Sequence, residues 1–169
     1  MSIQQVDNFQ GNRIQITVDK YSEIVLKNNF DYIENKFGRM LLGSDLWELF
    51  LVSKGSNPEP IETRFNIIFN AFVKLNNYNE QYESEGMIKM FNYFTYHLHS
   101  NSLNQQITSV GNAQTKIEVG SKVQNAYITQ IYNEGVQTYN AIQYYILQNI
   151  VDYPEFTGVK LDYIDNLFI

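Results

Sequence analysis

The sequence predicts a mainly α-helical fold, a helical bundle of about four to five helices with one long C-terminal helix and a short β-strand, hairpin or extended arm. The main observation is a stripe of apolar residues at helical spacing: Val123, Tyr127, Ile131, Tyr139, Ile142, Ile146 and Ile150. A Ser-x-x-Gln capping box opens this helix at Ser121, and Pro154 follows its end. At 1.5 Å per residue, a helix over this segment is expected to be roughly 45 Å long. Its apolar and tyrosine-rich surface faces more than one direction, so contacts beyond its own core are expected.

Shorter stripes predict the other helices. The first runs from Tyr21 to Phe37 and ends at Gly38, although Asn28 and Asn29 leave two short helices open. Ser44 or Asp45 caps the next, in which Trp47 is either a core anchor or an exposed interface anchor. Two further helices follow the proline-containing loop 54–60; their apolar stripes are Ile61, Phe65, Ile68, Phe72 and Leu75, then Met87, Phe91, Phe94 and Leu98.

The chain divides into residues 1–20, a strand-like N-terminal extension, and residues 21–169, a single helical domain. Ile14, Ile16 and Val18 alternate with polar residues in the extension. Residues 101–120 are polar and predict an arm, either a β-hairpin near Gly111 or a mobile loop. The tail, residues 159–169, has an apolar end that is expected to dock on another surface.

Composition favours protein–protein contact. Charged residues make up 18% of the 169 residues, below the usual value of about 25%, and there are 13 tyrosines and 11 phenylalanines. A compositional bias of the host is the alternative explanation. The net charge of −6 without clusters of Lys or Arg argues against tight nucleic-acid binding, but not against lining a passage for DNA. No apolar run approaches the roughly 20 residues of a membrane span, so no membrane contact is expected.

Few residues of the chain lie in patterns typical of catalytic or metal-binding sites. His97 and His99 lie two residues apart and would diverge by roughly 200° on a helix, which disfavours a shared metal ion. Glu80, Glu83 and Glu85 are better explained by solvation and by a helix start. No phosphate-binding loop or nucleophile motif is present. We therefore expect no enzyme activity, no catalytic residue, no cofactor and no metal site; an enzyme that uses a histidine with a carboxylate remains an alternative.

Five short elements, in this order, suggest a family. They are residues 41–46 (Leu-Leu-Gly-Ser-Asp-Leu), 91–96 (Phe-Asn-Tyr-Phe-Thr-Tyr), Val110-Gly111, 139–142 (Tyr-Asn-Ala-Ile) and 153–158 (Tyr-Pro-Glu-Phe-Thr-Gly). The series resembles the head-to-tail connector proteins of tailed bacteriophages, especially the neck ring proteins of crAss-like phages. The likeness runs from about Tyr21 to the end of the chain, and its weight lies in the order and spacing of the elements.

The resemblance implies a structural virion protein that forms a homo-oligomeric ring, typically of twelve copies, in the phage neck. The ring would bind the portal protein on one face and a further neck or tail ring on the other, with genomic DNA passing through its lumen. Assembly would take place in the host cytoplasm. A monomeric helical adaptor or regulator with a single protein partner is the alternative. The candidate interface residues are Ile107, Val110, Ile117, Tyr132, Tyr144, Tyr145, Leu167, Phe168 and Ile169.

Overall fold

The computed structural model describes residues 2–9, 14, 16, 20–109 and 118–165, without the side chains of 20–22, 103–109 and 118–124. Five helices and one hairpin follow in chain order: α1 (Lys20–Leu42), α2 (Ser44–Lys54), α3 (Thr63–Phe69), β1 (Phe72–Leu75), β2 (Gln81–Ser84), α4 (Met87–Ser109) and α5 (Glu118–Gln148). Short 3₁₀ helices lie at Val6–Phe9 and Ile150–Asp152. The predicted fold class, a mainly helical bundle with a long C-terminal helix and a hairpin, is confirmed.

The core lies between the long helices α1, α4 and α5, with α2 and α3 closing one side. Trp47 is 1% exposed and stacks on Phe50 with 5.2 Å between ring centroids. Its interpretation as a core anchor is therefore the correct one. Aromatic pairs such as Phe37 with Phe94, at 4.0 Å, continue the core towards α4. Large flat rings supply much of the buried apolar area, which is the main source of stability in a domain of this size.

Helix α1 is a single helix that continues past Asn28 and Asn29 and through Gly38. The prediction that α1 ends at Gly38 was wrong. A Cβ atom at Gly38 would lie 2.6 Å from the Trp47 ring, so the glycine lets that ring pack against the helix backbone. The packing requirement explains a glycine that the sequence pattern marked as a helix end. The helix ends instead before Gly43, whose φ of 85° favours glycine.

The hairpin lies where the sequence predicted the second half of a helix. Helix α3 ends at Phe69, and β1 pairs antiparallel with β2 in a register that places Phe72 opposite Ser84. The turn between them is built around Asn76, whose side-chain oxygen accepts bonds from the Tyr78 and Glu80 amides. The prediction of one helix from Ile61 to Leu75 was wrong because this turn chemistry and a period of two outweigh an accidental helical spacing.

The predicted arm is helical at both of its ends. Residues 101–109 belong to α4, and residues 118–120 belong to α5, which begins before the expected start at Ser121. An extended arm over the whole of 101–120 was therefore a wrong prediction; residues 110–117 lie outside the described residues. Gln, Ser, Thr and Asn lower helix propensity only slightly, so a polar stretch does not by itself end a helix. Helix α5 ends at Gln148, short of Ile150, the last residue of the predicted stripe, and a 3₁₀ helix follows at Ile150–Asp152 before Pro154.

The N-terminal residues pack on the helical bundle. Phe9, Ile14 and Ile16 are buried in a second apolar cluster, whose other members are Leu26, Phe30, Tyr93 and Ile131 from α1, α4 and α5. The Ile16 amide donates to the Phe9 carbonyl at 3.0 Å. Among the described residues before α1, the only regular element is the 3₁₀ helix; Ile14 and Ile16 are not in a strand, and Val18 lies outside the described residues. The segment is thus packed in place by its own apolar side chains.

Candidate interaction surfaces

The three predicted interface tyrosines in the described part of the chain are partly buried against their own subunit. Tyr132 lies between Phe94 and His97, with ring centroids 5.4 and 4.8 Å away. Tyr144 contacts Tyr82 at 4.8 Å, and Tyr145 contacts Phe72 at 5.3 Å and Tyr153 at 6.4 Å. These rings hold α5 to α4, to the hairpin and to the following turn. Their contribution to an interface is limited to the edges that remain exposed.

The other predicted interface residues are placed only in part. The backbone of Ile107 belongs to α4, and its side chain is not among those described. Val110, Ile117, Leu167, Phe168 and Ile169 lie outside the described residues.

A different apolar surface is exposed at the end of α5. Its members, here called the hairpin surface, are Tyr78, Leu147 and Val151, with exposures from 55% for Leu147 to 89% for Val151. The Asn77 side-chain amide donates to the Gln148 side-chain oxygen at 3.0 Å, which holds the turn of the hairpin beside the end of α5. Clustered exposed apolar side chains are typical of interaction sites. The sequence analysis missed this surface because it predicted a helix that extended to Leu75, and not a hairpin whose turn lies beside α5.

The alternation of the hairpin explains why two more apolar side chains, Val73 and Leu75, are exposed outside this surface. Phe72 and Lys74 of β1 and Tyr82 of β2 face α5, where they contact Tyr145 and Tyr144. Since successive side chains of a strand point to opposite faces, Val73 and Leu75 face away from the helix. They have no covering element in the described part of the chain, and each keeps about 60% of its surface exposed.

The carbonyls at the end of α1 accept hydrogen bonds from donors outside the helix. The last four carbonyls of a helix have no partner within it, and here each receives a bond. The bonds run from Gly43 N to Arg39 O at 2.9 Å, Val159 N to Met40 O at 2.7 Å, Gln143 Nε2 to Leu41 O at 3.0 Å and Thr157 N to Leu42 O at 3.2 Å. One of these donors comes from the tail, one from Thr157 just before the tail, and one from α5. The tail up to residue 159 is therefore part of the fold.

Beyond Val159 the tail runs back along α5, held by polar side chains of that helix. Tyr139 Oη donates to Val159 O at 2.5 Å, Asn140 Nδ2 donates to Leu161 O at 3.0 Å, and Asn133 exchanges two bonds of 2.9 Å with the main chain of Ile164. Burial raises the pKa of the Tyr139 phenol well above its usual value, so that this donor stays protonated. Val159, Tyr163 and Ile164 remain partly exposed and form the second surface, here called the tail surface.

A buried carboxylate fixes the start of the chain. Glu34 is 5% exposed and accepts bonds from Ser2 Oγ at 2.5 Å, the Ile3 amide at 3.0 Å and the Gln4 amide at 2.8 Å. Burial raises the pKa of Glu34, while the backbone donors of Ile3 and Gln4 partly oppose that rise. The Gln4 side-chain amide in turn donates to Asn92 and Thr95 of α4. These buried polar groups are satisfied and act as a structural anchor.

His99 is buried in the bundle, and His97 is half-buried. His97 packs against Tyr132, and its Nε2 lies 3.1 Å from the Asn101 side-chain amide. His99 is 3% exposed, and its Nδ1 has no hydrogen-bond partner among the described atoms. Burial lowers the pKa of both imidazoles, which favours their neutral form. Within the described ranges, no group of three or more His, Cys, Asp or Glu side chains is placed to hold a metal ion.

No family model, curated protein or solved structure matches the chain. None of the described helices is long and apolar enough to cross a membrane.

Proposed function

We propose that this protein is a structural subunit of a bacteriophage virion, which forms an oligomeric ring in the neck, joins the portal to the tail and surrounds the DNA channel. The order of the five short sequence elements between residues 41 and 158 supports the family of connector proteins. The observation that carries the proposal is the presence of two separate exposed apolar surfaces on one subunit, the hairpin surface and the tail surface.

The two surfaces are separated along α5. The hairpin surface lies beside Gln148, and the tail surface extends to Asn133. Asn133, at the far end of the tail surface, lies 15 residues before Gln148, or roughly 22 Å of helix, whereas Val159 at its near end contacts Gln143, roughly 8 Å of helix from Gln148. A ring built from identical subunits uses two different patches on each subunit, one for each neighbour. Two apolar patches at a distance meet this geometric requirement, whereas a two-fold dimer uses one.

The charge of the chain is consistent with a DNA channel. With 18 acidic and 12 basic residues, the subunit carries a net charge of −6. An acidic lumen repels phosphates and lets DNA pass without binding it. The proposal places the protein in the virion neck, with the portal and further neck or tail rings as partners. It assigns no catalytic residue and no cofactor.

A monomeric adaptor that binds a single partner protein is the second candidate. The observation that favours it is the packing of Tyr132, Tyr144 and Tyr145 against their own subunit. Much of the aromatic surface expected to need neighbours is thus covered within one chain. An adaptor of this kind needs only one of the two exposed surfaces.

Size-exclusion chromatography with light scattering, with and without a portal protein, tests the ring. We expect a ring-sized oligomer, or one that forms only when the portal is added. Val151→Asp places a charge in the hairpin surface and is expected to reduce assembly. Val52→Asp is the matched control, because Val52 is 79% exposed on α2 and belongs to neither surface. A mass of one chain in every mixture, or a complex of one chain with one partner, would contradict the ring and favour the adaptor.

A further inference from the structure

The hairpin has an unpaired edge. Among the described residues, the sheet contains only β1 and β2. The Asn76 amide donates to the Glu80 carbonyl at 2.9 Å, and hydrogen-bonded pairs alternate along an antiparallel ladder. Lys74 therefore bonds with Tyr82, and Phe72 with Ser84. The amides and carbonyls of Val73 and Leu75 consequently point away from β2, towards the open side of β1.

The side chains beside this edge favour an extended partner. Val73 and Leu75 are 60% and 64% exposed and offer apolar contact on the outer face. A shallow cavity of about 430 Å³ lies beside Val73 and is also lined by Ala71, Glu83 and Lys89 among others. An added strand gains main-chain hydrogen bonds from the edge, while pockets and alternate side chains select its sequence.

The charge of Lys74 limits which strand can pair with the open edge of β1. In a two-fold antiparallel pairing of two β1 strands through Val73 and Leu75, each Lys74 would lie directly opposite its copy. Like charges at directly opposed positions destabilise a strand pair. Lys74 makes no ion pair with another described residue and lies 5.9 Å from the Tyr145 ring centre. Charge therefore disfavours a second β1 strand and favours an acidic residue at the opposed position.

We propose that the open edge of β1 is a docking site for an extended segment of a different protein, which adds to the hairpin as a third strand. The segment carries apolar residues opposite Val73 and Leu75 and an acidic residue opposite Lys74. The site goes beyond the proposed ring and does not depend on it, because a monomer presents the same edge.

Nuclear magnetic resonance of the ¹⁵N-labelled chain tests the site directly. The probe is a blocked peptide in which valine, glutamate and valine are flanked by threonines, added at millimolar concentration. We expect the Val73 and Leu75 amide signals to shift and their hydrogen exchange to slow. A peptide with lysine in place of glutamate should bind about two- to fivefold more weakly. The Lys74→Glu variant should reverse this preference, which controls for general effects of charge.

A separate peptide tests whether main-chain hydrogen bonds to β1 contribute to binding. A probe methylated on the backbone nitrogens of both valines cannot donate to the edge, so it should not shift the Val73 and Leu75 signals. The proposal is overturned if the two amides do not respond to the glutamate peptide, or if the methylated or lysine peptide binds equally well. It is also overturned if β1 pairs with itself, seen as a concentration-dependent shift of the same amides without peptide. The ring is decided separately, by the mass of the assembly.

Discussion

At the scale of single residues, Gly43 shows how one backbone position joins two distant parts of the chain. Its φ of 85° and ψ of 161° are accessible almost only to glycine. A Cβ atom there would lie 2.0 Å from Thr157 Oγ1 and 2.9 Å from the Thr157 amide nitrogen. The corner between α1 and α2 is thus the place where the tail crosses, and a side chain at residue 43 would push the tail away.

We predict that Gly43→Ala lowers the free energy of unfolding by at least about 2 kcal/mol, since backbone strain and collision act together. Gly55→Ala is the matched control. Gly55 also has a positive φ, of 50°, but the nearest atom to its added Cβ would lie 3.8 Å away. Urea denaturation of both variants separates the two contributions. Equal losses would show that Thr157 can move aside at no cost.

The histidines predict a pH dependence. Burial lowers the folded-state pKa of His97 and His99 below the ordinary value of 6.5. As pH falls below 6.5, the unfolded chain therefore takes up protons before the folded chain does, and the free energy of unfolding decreases. The stabilising contribution of the two neutral imidazoles to the free energy of unfolding is fully present above pH 6.5 and is lost as pH falls towards the folded-state pKa values.

The double variant His97→Gln, His99→Gln isolates this effect, because the chain has only two histidines. We expect the difference in unfolding free energy between wild type and variant to be constant above pH 7.5. Between pH 6.5 and 5 the wild type should lose stability relative to the variant. Denaturant titrations at several pH values measure the difference. A flat difference across that range would show that the imidazoles titrate equally in both states.

At the scale of elements, long periodic segments were predictable and short ones were not. The stripes that identify α5 and α4 extend over many turns, so one exception does not hide the period. The hairpin consists of two four-residue strands, and Phe72 and Leu75 happen to continue the helical spacing of Phe65 and Ile68. The turn residues 76–79 include three asparagines, which fit a hairpin turn.

Gln143 connects three elements, and its loss tests how they depend on one another. It is 6% exposed, and its side-chain amide donates to Leu41 O of α1 and to Val159 O of the tail at 3.0 and 3.1 Å. Gln143→Met keeps the length of the side chain but removes the donor. We predict a loss of about 1–3 kcal/mol, because two carbonyls lose a partner that water cannot fully replace.

Gln137→Met is the control for Gln143→Met, since Gln137 is on the same helix and is exposed. Its stability should change by less than about 0.5 kcal/mol. Thermal unfolding followed by circular dichroism measures both variants. If Gln143→Met were as stable as the control, the carbonyls at the end of α1 would have to find other donors.

At the scale of the whole molecule, the docking of the tail could not be read from the sequence. The apolar end of the chain predicted a tail that docks on another surface, and up to Ile164 the tail lies on its own subunit. The contact joins residues about 20 to 120 positions apart through main-chain atoms, which leave no periodic pattern in a sequence. The two exposed surfaces were missed for the same reason, because they depend on which side chains the tail and hairpin cover.

Two truncations separate the folding role of the tail from its proposed role in assembly. Removal of residues 157–169 takes away the donors to Met40 O and Leu42 O, so we predict a loss of roughly 3 kcal/mol or more in unfolding free energy. Removal of residues 166–169 leaves every described bond of the tail in place. This shorter deletion should keep the stability of the full chain while reducing oligomer mass, because it removes Leu167, Phe168 and Ile169. Urea denaturation and light scattering of the same samples measure both effects. A shorter deletion that destabilises the monomer as much as the longer one would show that these apolar residues pack within their own subunit.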